Sequence, residues 1–585
     1  MKKKLFKLFI SFLSVVICLG IVSCSKIFDI KPKSAVAAEQ MYRNVYDADA
    51  AVIGVYGKFM GLAKQYTVLN ELRADLTDVT ANSDAYLKQL STHSVKATDN
   101  NPYADPRPFY AVIINCNDVL KNFNIMLSQH KMSVDQYNDR YSDVGALRSW
   151  LYLQLGIHFG IIPYVTNPIA NLDDLQNQAL FPRIGFDQLL DNLIQFTEAL
   201  PSKMPYPTGS SLLSTYDTYY TQKFFINKNT IIGDLNLWKG NFTKAAAAYR
   251  EVVRIGGIPY ETNPASEQTY YYFRLGYEGN NYGVNWKTIF STAFGERYSN
   301  YEIMWNLPFD KNFSPNNPFI DLFSVNGQYL LKPSNLVINN WNIQNDLTPG
   351  RPTDLRGLNA SYRMTNGQPE VIKYTSNYTT TLPFETNTKW ILYRSGVLYM
   401  RFSEAANRDG RNKLAMAFVN DGIPNAYDNT ANADKTNLMQ STSPTDPTKL
   451  DVPPYDFDGR NGAIPYFRNT WYRNVGLRNR AVDRYVTIDS TKYYSGSTPR
   501  LLIDPNKLKT DIEDIIINEE GLETAFEGNR WGDLLRIALR RQSTDPNYLA
   551  NKIGAKFDAA LSADGAAVRA RLADPANWYL PFKWK

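Results

Sequence analysis

Between Lys228 and Gly257 the chain carries two apolar stripes at helical spacing, parted by a single glycine. Ile231, Ile232, Leu235 and Trp238 form the first and stop at Gly240. Phe242, Ala245, Ala246, Tyr249, Val252 and Val253 form the second, behind Asn241 as its cap, and end at Gly256-Gly257. Residues recurring every three or four positions share one helical face, and small alanines on that face allow close antiparallel packing. The unit spans about 30 residues, near the 34-residue tetratricopeptide period. A second such unit runs from Trp390 to Asn407, turns at Asp409-Gly410 and returns from Lys413 to Asn420. Units this far apart do not form a regular array. They predict a mainly α-helical framework interrupted by insertions.

Other helices follow from the same periodicity: Ala48 to Met60, Phe109 to Leu127, Val144 to Phe159, and Phe186 to Leu200, where Pro201 stops the run. Residues 258 to 388 and 421 to 507 are long, irregular and rich in Asn, Thr, Pro, Gly and Tyr, with short strand-like pieces such as Glu302 to Leu307. Loops of that length on a rigid scaffold are where binding function concentrates.

Residues 511 to 541 read as two consecutive helices broken at Gly528-Asn529. Glu519, Glu520, Glu523, Glu527 and Asp533 alternate with Arg530, Arg536 and Arg540. Two flanking acids are the apparatus of glycoside hydrolysis. Acids and arginines three and four residues apart also form helix ion pairs, and this plainer reading, with Arg530 fixing the corner, is preferred.

The N-terminus carries its own signal. Lys2, Lys3, Lys4 and Lys7 precede an apolar run from Leu8 to Val22, and Ser23-Cys24 follows. This resembles the lipobox of bacterial lipoproteins, with residues 1 to 23 as signal peptide, Cys24 as the lipidated residue, and residues 24 to 36 as a tether. The apolar run is shorter than the roughly 20 residues that span a bilayer. Several acyl chains exceed the two-signal requirement for stable anchoring, so the mature chain is expected at a membrane surface.

Charge excludes one class of partner. Four of the 63 Lys and Arg residues leave with the signal and none of the 57 acids does, so the formal charge of +6 falls close to neutrality. Nucleic acid is not an expected partner. Of three cysteines, Cys18 leaves with the signal and Cys24 takes lipid. Cys116 remains, read as a buried structural thiol. His93, His130 and His158 lack ligand partners at helical spacing, which gives no support for a zinc site or a His-centred triad. The 39 Tyr, 29 Phe and 10 Trp mostly serve packing, with a minority available as rigid binding surface.

Several segments, in order along nearly the whole chain, resemble the SusD/RagB family of nutrient-uptake outer-membrane lipoproteins. They are Cys24 with Phe28-Asp29 and Pro32; Ala146-Leu147-Arg148 through Phe159-Gly160-Ile161-Ile162-Pro163; Trp238 to Ala246; Tyr393-Arg394 to Glu404-Ala405-Ala406-Asn407; Ala525 to Leu535; and Trp578-Tyr579-Leu580-Pro581. Val475 to Arg480 looks loosely like a further family segment. Gly532 stands where the family usually has a bulky aromatic, and the residues after Cys24 are less acidic than its usual surface-export signal.

The resemblance implies a SusD-like helical domain over residues 37 to 585. It would act as a non-catalytic, cofactor-free receptor at the cell surface, handing oligosaccharides to a SusC-like TonB-dependent outer-membrane transporter. Peptides are the alternative cargo, and a surface glycoside hydrolase or an adhesive lipoprotein the alternative roles. For a glycan, rings would stack on sugar faces while polar groups bond hydroxyls. The candidates are Tyr86, Tyr277, Tyr282, Trp286 and Trp341, with Asn82 and Asp84 beside Tyr86.

Overall fold

The computed structural model describes residues 41–169, 178–202, 206, 209–216, 219–255, 289–290, 302–344, 354–375, 378–382, 387–423, 452–455, 461–462, 467–468, 475–482, 484–496 and 501–583. Cys24, the signal, the tether, and Tyr277, Tyr282 and Trp286 lie outside the described residues.

Helix α1 (Val45–Met60) is capped by Asn44, whose Oδ1 accepts the N–H groups of Tyr46 and Asp47 at 2.9 and 3.2 Å. After it come β1 (Thr77–Val79), α2 (Ala85–Ser91), α3 (Arg107–Ser128), α4 (Val134–Phe159) and α5 (Phe186–Glu198). Helix α4 starts ten residues before the apolar pattern does. Its first turns are polar, yet Ser133 and Gln136 form a reciprocal capping box, and Arg140 is buried against Asp49 of α1. Charge pairing across helices replaces the apolar stripe there. Farther along, Gly145 and Gly156 let Leu200 and Phe186 approach the α4 backbone.

The pair α6 (Lys228–Lys239) and α7 (Phe242–Ile255) forms as expected. Gly240 turns the chain with φ +84°, a conformation that costs glycine little. Tyr249 lies flat on Gly233, where a Cβ would stand 2.3 Å from its ring. The Asn241 amide turns back to donate to Asn236 Oδ1 at 3.0 Å.

The second pair differs. Trp390 to Arg394 belongs to a strand, β6 (Thr388–Arg394), antiparallel to β2 (Ile303–Phe309); β3 (Leu331–Pro333), α8 (Asn335–Asn342), β4 (Tyr362–Thr365) and β5 (Gln368–Val371) lie between them in sequence. The helix α9 begins only at Ser395 and runs to Arg408, followed by α10 (Asn412–Val419). Trp390, Ile391, Leu392 and Tyr393 are all buried; a short continuous apolar run fits a buried strand as well as a helix, and partnering with β2 decides it. The chain closes with α11 (Pro505–Thr524), α12 (Arg530–Arg541), α13 (Tyr548–Ala559) and α14 (Asp564–Leu572).

Neighbouring helices pack successively, α3 to α7, then α7 on α9, α9 on α10 and α11, and α11 through α14. One apolar core runs through them, and Cys116 is fully buried in it. Burial pushes its thiol up to about 12, as fits a packing residue. His158 Nδ1 lies 3.1 Å from Arg73 Nη1, while His93 Nε2 lies 2.8 Å from the Arg73 carbonyl oxygen. The Arg73 guanidinium links the His158 imidazole to the C-terminal segment, donating also to the Trp578 carbonyl at 2.7 Å.

Candidate functional site

The small sheet of β1 and β3 pairs Thr77 with Pro333 and Val79 with Leu331, and its end carries the exposed polar cluster. From Val79 the chain enters a loop stapled to residues 328–330. Thr80 N–H donates to the Leu330 carbonyl at 3.2 Å, Thr80 Oγ1 donates to the Tyr329 carbonyl, and Ser83 Oγ donates to the Leu330 carbonyl. The Asn82 amide reaches across to the Gln328 carbonyl at 2.9 Å. Loop 324–330 is itself rooted by buried Glu370, which accepts the Val325 N–H at 2.8 Å. Two loops distant in sequence are thereby held as one ledge.

Asp84 ends the ledge and caps α2, accepting the Leu87 N–H at 2.8 Å. The helix buries Leu87, Leu90 and Ser91, so the preceding Tyr86 points outward and is 37% exposed. A second loop closes behind it. Asn101 donates to the Tyr86 carbonyl at 2.9 Å and to Gln89 Oε1 at 3.2 Å, and its own Oδ1 accepts the Tyr103 N–H at 3.0 Å. Gln65 clamps this loop by donating to the carbonyls of Tyr103 and Asp105 at 2.9 and 2.7 Å. The Tyr103 phenol is pushed up to about 12, first by burial and then by the Asp84 carboxylate nearby. Arg107, mostly exposed, grips Asp105 with Nε and Nη2.

Asn82, Asp84 and Tyr86 thus stand exposed within five residues of chain, Asn82 and Asp84 fixed by hydrogen bonds to backbone and Tyr86 in the first turn of α2. Trp341 is not among them. This corrects the sequence expectation: Trp341 is 1% exposed, stacks on Tyr362 with centroids 5.6 Å apart and meets Phe526 at 6.1 Å. A ring stacked on one face and buried on the rest has none left for a sugar. Asn101, Tyr103 and Gln328 were missed by sequence reasoning. The Asn101-Pro102-Tyr103 turn lay within reach as a signal, since Asn-Pro initiates turns. Gln328 had none, being brought in only by the β1–β3 pairing.

The acid- and arginine-rich C-terminal block has a different role. Arg394 bonds Glu527 and Glu523; Arg356 bonds Asp354, Glu519 and Glu523; Arg478 bonds Glu519; Lys373 bonds Glu527. Arg480 joins Glu302 to Glu523. In α12, Arg536 and Arg540 hold Glu404. The local helix pairs expected from spacing reduce, within α12, to Arg536 with Asp533. Apart from Arg356 with Asp354, the remaining pairs tie separate segments, from 41 residues apart for Arg478 and Glu519 to 178 for Arg480 and Glu302. Arg530 does fix the corner, donating to the Ile517 carbonyl at 2.6 Å and to Asp75 at 2.7 and 2.8 Å. Glu404, Glu513, Glu519, Glu520, Glu523 and Glu527 are all buried.

Comparison with known proteins agrees with this architecture. No family profile matches the chain. A curated relative, SusD-like protein P2 of Formosa agariphila, is 21% identical over 577 residues, 92% of each chain. A SusD superfamily structure from Bacteroides vulgatus superposes with a TM-score of 0.57 at 13% identity, covering 92% of this chain and 96% of the other. A SusD-like carbohydrate-binding protein from Bacteroides fragilis gives 0.53 at 13% identity, with 87% and 92% covered. The fold is the mainly α-helical SusD fold. Along nearly its whole length the chain is similar to a SusD-like protein in sequence and to SusD superfamily structures in fold.

Proposed function

We propose that this protein is a non-catalytic nutrient receptor of the cell surface, held to the outer membrane by lipid on Cys24 with a single SusD-like body beyond the tether. It captures oligosaccharides and delivers them to a SusC-like TonB-dependent transporter. The observation that carries the reading is the ledge of Asn82, Asp84 and Tyr86 on a fold shared along its length with a carbohydrate-binding structure. An exposed ring beside a carboxylate and an amide supplies what a sugar requires, an apolar face to stack on and partners for hydroxyls. The buried C-terminal acids support a role without bond cleavage. Outside the described residues, Tyr277, Tyr282 and Trp286 extend the proposal to the first long insertion.

The test uses the Cys24→Ala protein, which should leave membranes with its fold intact. Titrated calorimetrically against a panel of oligosaccharides and oligopeptides, it should bind an oligosaccharide and release no new reducing ends. Binding of peptide alone would give the same role a different cargo. Turnover lost on substitution of one carboxylate would make it a hydrolase. Persistent pelleting of Cys24→Ala with membranes in high salt would refute the anchor.

A further inference from the structure

Lys556, one turn from the end of α13, is fully buried. A lysine is almost never so deep unless it is paired, yet its partners here are all neutral oxygens. The ammonium donates to the carbonyls of Leu72 at 3.0 Å, Ala74 at 2.9 Å and Thr77 at 3.2 Å, and to Ser91 Oγ at 3.3 Å. Four oxygens thus share three N–H donors. The neutral amine would bring only two. Burial pushes the ammonium down to about 8, against the pull of Asp78 and Asp75.

The backbone explains why these oxygens need an outside donor. Leu72 and Ala74 lie at the end of the π-helical turn Val68–Leu72, where carbonyls run out of N–H partners along the chain. Thr77 stands opposite Pro333 in the β1–β3 ladder. On either side of it, Ser334 N–H donates to the Leu76 carbonyl at 2.9 Å and Thr80 N–H to the Leu330 carbonyl at 3.2 Å. Alternation along an antiparallel ladder therefore turns the Thr77 carbonyl away from β3, and Lys556 meets it there. Ser91 ends α2. Thr77 and Ser91 are the two ends of the segment that carries Asn82, Asp84 and Tyr86, and one buried atom fastens both to α13.

We propose that Lys556 is a positioning residue for the ledge: its ammonium fixes both ends of segment 77–91 and so places Asn82, Asp84 and Tyr86 for binding oligosaccharide. This rests on the functional reading above. Being buried, Lys556 acts through the backbone and not by contact with the sugar. Loss of its proton leaves a cage oxygen without a donor, which links protonation to affinity. A ligand that needs the fastened ledge holds the proton on, and losing the proton weakens the ligand by the same factor. The other charged groups around the cage are Asp75 and Asp78 on the held segment, Arg73 and His93 beside it, Lys552 on α13, Arg530 on α12 and Arg571 on α14. Burial keeps His93 neutral, and Arg530 outweighs burial to keep Asp75 ionised.

The experiment is calorimetry of the Cys24→Ala chain from pH 7 to 9, in buffers of different ionisation enthalpy, with the tightest oligosaccharide of the panel as probe. With Lys556 in place, affinity should fall about fivefold or more across that range, the lower end of coupling between sites. Binding at pH 8 should take up a fraction of a proton. Lys556→Met should bind about tenfold more weakly at pH 7, with a flat pH profile and no proton uptake. Lys556→Gln returns two N–H donors without the charge, and should show intermediate affinity and the same flat profile. Glu71→Gln removes another group that titrates near 8 and should keep the uptake. The pH profile of the chain with Lys556 decides the matter even where a substituted chain misfolds. Binding that is independent of pH with no proton uptake, full affinity in Lys556→Met, or a pH profile that Lys556→Met retains overturns the positioning role and leaves the functional reading standing. A chain that binds no oligosaccharide of the panel overturns both.

Discussion

Arg394 grips Glu527 through two parallel hydrogen bonds, Nε to Oε2 at 2.7 Å and Nη2 to Oε1 at 2.9 Å. Both side chains are fully buried, and Arg394 also bonds Glu523 at 2.7 Å. The pair ties β6 to the segment after α11. Removing one partner strands the other charge in the core, which costs about 3–5 kcal/mol. Glu527→Ala should therefore lower unfolding free energy by that order in urea denaturation, with Glu527→Gln less harmful. A loss below ~1 kcal/mol would show that the pair behaves as an exposed one.

The same network sets an acid limit. Burial alone would raise the Glu523 carboxyl, but Arg480, Arg394 and Arg356 outweigh it and hold it down at about 2. Arg536 and Arg540 do the same for Glu404, also about 2. A carboxyl depressed on folding contributes stability that is complete above its unfolded value, about 4.5, and is lost as pH falls toward 2. Thermal melting should show a steep decline across that window. Glu523→Gln should flatten it while lowering the plateau.

Glu71 runs the opposite way. Burial pushes it up to about 8, against the N–H groups of Phe526, Gly528 and Asn529 that it accepts. A folded value above the unfolded one means that its contribution is full below about 4.5 and is lost as pH rises through 8. Glu71→Gln should remove that alkaline decline, measured by melting between pH 5 and 8.5. An unchanged slope would assign it to another group.

Two glycines four residues apart should respond with opposite signs. Gly528 has φ +87° and a Cβ there would stand 2.3 Å from the Tyr66 ring. Gly528→Ala is therefore strained twice and should cost several kcal/mol, on the scale of about 1–3 kcal/mol for the backbone alone. At Gly532, in the first turn of α12, a Cβ meets only Ile157 and Trp238 at 3.7 Å. Gly532→Ala should stabilise by up to ~1 kcal/mol. This is where the sequence departs from the family it resembles, and the aromatic Trp238 lines the position. Denaturant midpoints of the two variants decide the matter.

What could be read in advance follows from how local each signal is. The α6–α7 pair was legible as far as the described residues reach, its end at Gly256-Gly257 lying outside them, because its stripes, its glycine and its alanines all lie within one unit. The start of α4 and the strand at Trp390 were not, since both depend on partners far away, Asp49 for Arg140 and β2 for β6. The buried ion network was invisible for the same reason. Spacing exposes i,i+4 neighbours but carries no trace of Arg394 meeting Glu527 across 133 residues. At the ledge, Asn82, Asp84 and Tyr86 were found as neighbours in sequence, while Gln328 arrived only through strand pairing. Trp341 failed because an aromatic in a loop-rich insertion looks the same whether or not a second ring covers it.

The binding ledge separates structure from recognition at Asp84. Its Oδ1 caps α2, so Asp84→Ala loses a cap worth about 1 kcal/mol together with its charge. Asn caps as well as Asp, so Asp84→Asn keeps the helix and removes only the charge. A hydroxyl bonded to a carboxylate contributes about 1.5–3 kcal/mol, roughly a tenfold change in Kd or more. Asp84→Asn should therefore melt like wild type and bind an oligosaccharide at least tenfold more weakly in calorimetry. Tyr86→Phe should bind nearly as wild type, since stacking uses the ring face, whereas Tyr86→Ala should lose affinity without losing stability. If Asp84→Asn and Tyr86→Ala both bind as wild type does, the ledge is only a helix cap with an exposed tyrosine, and sugar recognition lies elsewhere on the chain.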